Sequence, residues 1–128
     1  MISIAFEDVS SSTIVDFSVE IGSTSYATVS AGSIHRDSGV SNARISSSGG
    51  PVKVANLGSA ASELCGIVTL QKMDDNEWTV SSNLGSSAVE EIFHGGGVID
   101  LGGVADRLKI SIPSGALDSG KITIAAYS

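Results

Sequence analysis

The 128-residue chain fits one domain, predicted to span residues 1–128, and it is long enough to bury a core without a metal or a disulfide. Fourteen acidic residues against seven basic ones give a net charge of −7, which argues against binding to nucleic-acid phosphates or anionic membranes. The single cysteine, Cys65, excludes an intrachain disulfide, and its apolar neighbours predict a buried, inert thiol. The first residues lack a signal-peptide pattern, and no apolar run is long enough to span a membrane, so we expect a soluble protein made in a cytoplasm.

Alternation of apolar and polar residues dominates the chain and predicts β-strands. The predicted strands, in chain order, are residues 1–6, 15–21, 25–30, 51–56, 63–73, 78–81, 107–112 and 121–127. Turn-forming segments separate them, and the serine- and glycine-rich residues 46–50 predict an exposed flexible loop. This regular succession of short strands predicts an all-β fold, an antiparallel β-sandwich of jelly-roll type.

One segment, residues 88–94, fits either a helix or a strand. Ser87 and Glu90 match a capping box, Val89 and Phe93 fall at helical spacing, and Gly95 would end the helix. A helix of seven residues is marginal without packing, so a strand is the alternative. The sequence therefore predicts at most one short helix, near residues 88–94.

Residues 94–97 read His-Gly-Gly-Gly, which matches the oxyanion-hole segment of lipases and esterases. Those enzymes also need a G-x-S-x-G nucleophile turn after this segment, and the nearest match, residues 39–43, lies before it and ends in alanine. No histidine follows His94 to act as the base. We therefore expect no enzymatic activity and no catalytic residues, and we predict that glycines 95–97 and 102–103 are chain reversals.

Residues 74–77 carry four oxygen donors in one predicted hairpin loop. Adjacent residues in a tight hairpin cannot all face a Ca²⁺ ion, which needs six to eight oxygens, so a solvated turn is predicted. Cys65, His35 and His94 do not have the spacing of zinc ligands. We therefore expect neither a metal nor a cofactor.

The single tryptophan, Trp78, has two interpretations. A lone tryptophan after a hairpin is typical of a core or a subunit contact, and this interpretation is favoured. The alternative is a carbohydrate-stacking platform in which Asp74 and Asp75 assist Trp78. These three residues are the candidate interface or glycan contacts of the chain.

The segment GIVTLQKMDDNEWTV, residues 66–80, resembles the strand–turn–strand signature of small all-β virion proteins of tailed bacteriophages. The matching positions are Gly66, Val68, Thr69, Leu70, Gln71, Asp74, Asp75 and Trp78. Arg107, residues 119–120 and residues 122–124 match the family's later strand, its Ser-Gly turn and its final strand, so the resemblance covers about residues 63–128. The chain departs from the family at residues 76–77, where glycine is common, and at Lys72, where arginine is common.

This resemblance implies a non-enzymatic virion structural protein, and a capsid decoration or cement protein at the head surface is the first expectation. The alternative is a carbohydrate- or receptor-binding module of a tail or head fibre. The implied location is the virion, and the implied partners are the major capsid protein or another virion protein. Copies of the chain itself are also expected partners, with a trimer favoured, and edge strands such as residues 1–6 are expected to pair across subunits.

Overall fold

The computed structural model describes residues 1–38, 41–74, 76–86 and 90–127. The strands in these ranges are β1 (Ile2–Ser11), β2 (Asp16–Ser23), β3 (Ser25–Tyr26), β4 (Val29–Ser38), β5 (Ser41–Ser48), β6 (Val52–Asn56), β7 (Leu64–Lys72), β8 (Glu77–Ser86), β9 (Glu91–Asp100), β10 (Arg107–Ser111) and β11 (Leu117–Ala126). No helix long and apolar enough to cross a membrane occurs in this part of the chain.

The strands form two antiparallel sheets of unequal width. The larger sheet has seven strands in the order β11-β1-β7-β8-β9-β4-β5. In the smaller sheet β2 pairs with β10, β3 and β6, all antiparallel. The predicted all-β antiparallel sandwich is confirmed, whereas the jelly-roll type is a finer assignment that this strand order does not confirm.

Apolar side chains from the two sheets meet in one core. In β2, Phe17, Val19 and Ile21 are fully buried, as the alternating sequence predicts. The ring of Phe6, on β1, packs edge-on against that of Phe17, with centroids 6.3 Å apart and an interplanar angle of 83°. Because burying one such side chain contributes about 1.5–3 kcal/mol, this core supplies the main stabilising term of the fold. Leu57, after β6, is also buried there.

The predicted strands at residues 15–21, 51–56, 63–73, 107–112 and 121–127 are confirmed, with ends that shift by a few residues. The prediction for residues 25–30 is partly correct, because β3 ends at Tyr26 and β4 begins at Val29. The predicted flexible loop at residues 46–50 is wrong for its serines, since Ser46–Ser48 complete β5 in register with β4. Serine is accepted there because Ser46 and Ser48 are exposed on an edge strand and the Ser47 hydroxyl accepts a hydrogen bond from the Lys53 N–H (3.3 Å).

A strand, and not a helix, occupies the described part of the segment at residues 88–94. Glu91 begins β9, which pairs with β8 on one side and β4 on the other, while residues 88–89 lie outside the described ranges. Ladder bonds along both edges of β9 outweigh the local helical signals of a seven-residue segment. The predicted chain reversal at glycines 95–97 is also wrong, because these glycines lie inside β9. Gly102, with a φ of +67°, does lie in a bend after the strand.

The expectation that residues 1–6 form an edge strand is wrong. Strand β1 lies between β11 and β7 and pairs with both of them. The end of the chain returns beside its beginning, and the hydrogen bond from the Tyr127 N–H to the Met1 carbonyl (2.7 Å) continues this pairing. The open edges of the larger sheet are therefore β11 and β5.

Candidate interaction surface

The outer face of the larger sheet carries an uncharged surface at its centre, formed by strands β7, β8 and β9. Alternation in these strands directs one set of side chains into the core and the other set outward. We call the uncharged middle of the outward set the central patch; its residues are Cys65, Ile67, Thr69, Gln71, Thr79, Ser81, Asn83, Ile92, His94, Gly96 and Val98. None of these is an aspartate, glutamate, lysine or arginine, although the whole chain has a net charge of −7. The outward acids Glu77 and Asp100, which are cross-strand partners, bound the central patch at one end.

Three apolar β-branched side chains in the central patch are half-exposed. Ile67 and Ile92 are each 51% exposed, and Val98 is 41% exposed. Between them lie short hydroxyl, amide and glycine residues, so the surface has no long flexible side chain to immobilise apart from Gln71. A surface of this kind loses little side-chain entropy when it is covered by another protein.

A row of small residues crosses the entire sheet through the central patch. Cross-strand pairing places in one line, from β11 to β5, the residues Ala125, Ser3, Thr69, Ser81, Gly96, Ser33 and Ser46. Because each of these side chains is short, no side chain in the row projects far from the sheet. The sequence pattern could not reveal this row, since its seven members come from seven separate strands.

Glycines 95–97 explain how β9 fits between its neighbours. A Cβ added at Gly96 would overlap the carbonyl oxygen of Val80 on β8. One added at Gly95, whose φ is +150°, would overlap the carbonyl oxygen of Ser33 on β4. The glycines therefore allow a close approach of three backbones, and this close approach is the structural role of the His-Gly-Gly-Gly segment.

His94 lies opposite His35 in the register of β9 and β4, with ring centroids 5.2 Å apart. The pair lies in the same cross-strand row as Asn83 and Arg44. Within the described ranges no three histidine, cysteine, aspartate or glutamate side chains come together as a group that could hold a metal ion. His94, within the central patch, and His35, beside it, form an aromatic contact.

Trp78 is in the core, as the favoured interpretation predicts, with 9% of its surface exposed. Its exposed part lines a depression of about 270 Å³ together with Lys72, Val104 and Tyr127. Asp74 is exposed in the loop between β7 and β8, where its carbonyl accepts a 2.8 Å hydrogen bond from the Glu77 N–H. Asp75, the third candidate contact, lies outside the described residues.

The prediction of a buried Cys65 is wrong. Cys65 is exposed, because the apolar run around it alternates between faces, with Leu64 and Val68 inside and Ile67 outside. The Asp8 N–H donates to the Cys65 Sγ (3.4 Å), and the thiol donates to the Asp8 carboxylate (3.1 Å). The first contact lowers the thiol pKa, but the Asp8 carboxylate, partial desolvation and Glu63 together raise the pKa above its usual value.

One acidic side chain, Glu91, is buried although the chain is acidic overall. It is 3% exposed at the start of β9. The Gly58 N–H donates to both carboxylate oxygens (3.3 and 3.1 Å), and the Ser62 hydroxyl donates to Oε1 (3.0 Å). Glu91 therefore fastens the connection between β6 and β7 to the larger sheet. The sequence pattern did not predict this role. Glu90 and Glu91 are adjacent, and only the fold shows that Glu90 is exposed and Glu91 is buried.

Comparison of the chain with protein-family models, curated proteins and solved structures gives no match.

Proposed function

We propose that this chain is a non-enzymatic structural protein of a bacteriophage virion, and that it acts as a capsid decoration or cement protein on the head surface. The central patch is the observation that carries the proposal. A broad, uncharged patch with three half-exposed apolar β-branched residues suits contact with another large protein surface. The resemblance of residues 63–128 to small all-β virion proteins supports the same role.

In this proposal the central patch lies against the major capsid protein or another virion protein. Copies of the chain assemble with one another, and the resemblance favours a trimer. Each contact is weak by itself, and repeated copies on one particle give a high total affinity.

The alternative, a carbohydrate- or receptor-binding module of a fibre, remains a second proposal. Its sugar platform would be Trp78, and a ring that is 9% exposed offers little area for stacking. The structural role is therefore placed first.

The test begins with purified virions of the phage whose genome encodes this chain. Mass spectrometry and immunogold electron microscopy should find the protein on the particle, with the label over the head. Absence from purified particles would overturn the virion proposal, and label confined to the tail would replace decoration with the fibre role.

A second measurement tests the central patch. Particles that lack the protein are mixed with the purified chain, and bound protein is measured by sedimentation. Ser81→Arg, on the exposed centre of the patch, should weaken binding at least about tenfold because it buries an unpaired charge. Ser25→Arg, on the exposed strand β3 of the smaller sheet, is the matched control and should bind normally. Equal binding of both variants would exclude the central patch as the contact.

A further inference from the structure

Strand β11 is an open edge of the larger sheet. It has ten residues, and within the described chain it pairs with β1 alone. Its register with β1 is continuous from Ala126 to Lys121, and the irregular pairing begins only beyond Lys121. The last part of β11 is therefore a regular strand whose free edge can pair with another strand.

The last part of this edge lacks the features that normally prevent strand pairing. Residues 122–126 read Ile-Thr-Ile-Ala-Ala, with no charge and no proline. The other edges differ: β5 carries Arg44, and β10 carries Arg107 and Lys109. Charged side chains on an edge strand oppose pairing with a second sheet. Within β11 these are Asp118 and Lys121, so residues 122–126 are the unprotected part of this edge.

The hydrophobic core does not fully cover the inner face of β11. Ile4 and Ile124 are cross-strand partners on the same face, yet Ile4 is 0% exposed and Ile124 is 52% exposed. The smaller sheet therefore covers β1 but leaves the inner face of β11 partly open. Another molecule that extends the sheet would cover Ile124.

We propose that two copies of this chain join through β11, which pairs antiparallel with its symmetry mate about a two-fold axis at Ile124. The result is one continuous sheet made of two seven-stranded halves. In this register Ile122 lies opposite Ala126, and Thr123 lies opposite Ala125. Lys121 lies opposite Tyr127, so no like charges face each other.

The charge distribution of this edge allows a second copy as the occupant. Two molecules of charge −7 repel each other, and they can meet most easily where neither presents a carboxylate. From Lys121 to Tyr127 the single charged side chain is that of Lys121, which pairs with Glu7 at 3.4 Å. A two-fold contact also requires that a segment pair with a second copy of itself. The uncharged run centred on Ile124 meets this requirement.

This inference does not depend on the proposed virion role. Edge pairing leaves the central patch open on both copies, so a capsid contact and a two-fold contact can exist together. A two-fold contact gives dimers or larger even-numbered assemblies, in contrast to the trimer that the resemblance favours. Molecular mass in solution separates these two arrangements.

The first experiment measures self-association of the purified chain by analytical ultracentrifugation. Pairing through one edge strand buries a small area, so we expect dimers at about 100 µM and monomers on strong dilution. Ile124→Lys places two like charges at the two-fold axis and should weaken association at least about tenfold. Thr123→Lys should also weaken it, whereas Ser46→Lys, the same type of change on the exposed edge β5, should not.

Thermal unfolding of each variant at low concentration verifies that the monomer remains folded. If the wild-type chain is monomeric at about 100 µM, or if Ser46→Lys weakens association as much as Thr123→Lys, the proposal is wrong. The virion proposal would still stand in either case, since particle binding tests it separately.

A second experiment tests the register directly. In a Cys65→Ser background, Ile124→Cys should form a disulfide-linked dimer under mild oxidation, because the two residues face each other across the axis. Ser46→Cys in the same background should stay uncrosslinked at equal concentration. A trimeric mass without a cross-link at position 124 would overturn the two-fold contact.

Discussion

At the scale of single residues, two acidic side chains behave differently because of what surrounds them. Glu91 is buried and accepts hydrogen bonds from Gly58 and Ser62, so its charge is offset inside the protein. Asp8 is exposed and acts on a neighbouring thiol, that of Cys65. Their positions in the sequence give no sign of either role.

Glu91→Gln should destabilise the fold, because the substituted amide loses the charge and turns one acceptor oxygen into a donor. Loss of hydrogen bonds to a buried charged group predicts a decrease of about 1–3 kcal/mol in the free energy of unfolding, measured by urea denaturation. The control is Glu90→Gln at the adjacent exposed position, with an expected change within about 0.5 kcal/mol. Equal effects of the two substitutions would contradict the assigned role of Glu91.

Asp8→Asn should make Cys65 more reactive. Removing the carboxylate removes a negative charge that disfavours the thiolate, so the raised pKa of Cys65 falls toward its usual value. Below the thiol pKa the rate of alkylation should rise, because a larger fraction of the thiol is ionised at a given pH. The pH profile of iodoacetamide labelling measures this rate, with Glu7→Gln as the control. An unchanged profile in Asp8→Asn would show that Asp8 does not control the thiol.

At the scale of elements, β9 shows how neighbouring strands decide a local conformation. A helical start signal, Ser87 and Glu90, directly precedes β9, and β9 contains three consecutive glycines; both features disfavour a strand when considered locally. Pairing with β8 and β4 along its full length outweighs these preferences. The glycines then become an advantage, because they allow the two neighbouring backbones to come close.

Gly96→Ala should destabilise the protein by about 3 kcal/mol, because the new methyl group overlaps the Val80 carbonyl and forces β8 and β9 apart. Gly85→Ala, on β8, is the matched control: its Cβ would lie 3.2 Å from the Glu91 carbonyl oxygen, which requires only a small shift. Urea denaturation compares the two variants. A Gly96→Ala protein as stable as the control would show that the close approach is not required.

At the scale of the whole molecule, the unequal width of the two sheets determines which surfaces are available. The smaller sheet covers the middle of the larger one, where Phe17, Val54 and Phe93 are fully buried. The outer face of the larger sheet and the edge at β11 remain open. We propose that these two surfaces have different partners, a virion protein for the central patch and a second copy for β11.

Trp78→Ala should destabilise the fold by about 3–5 kcal/mol, since it leaves a large cavity where a core side chain was buried. This loss is a considerable fraction of the about 5–15 kcal/mol that stabilises a typical domain. Circular dichroism during thermal unfolding measures it without relying on tryptophan fluorescence. A stable Trp78→Ala protein that loses binding to a glycan array would instead support the carbohydrate-binding alternative.

The sequence by itself determined the fold class and most strand positions, because alternation of apolar and polar residues reports which face of each strand is buried. The sequence also favoured a core position for Trp78. It contained no nucleophile and base in the order that the His-Gly-Gly-Gly segment of a hydrolase requires. Tertiary structure alone decided the strand at Glu91, the exposure of Cys65 and the burial of Glu91. Each of these depends on which strands become neighbours, and pairing between residues distant in sequence leaves no local pattern. For the same reason only the fold places β1 in the interior of the sheet and β11 at its edge.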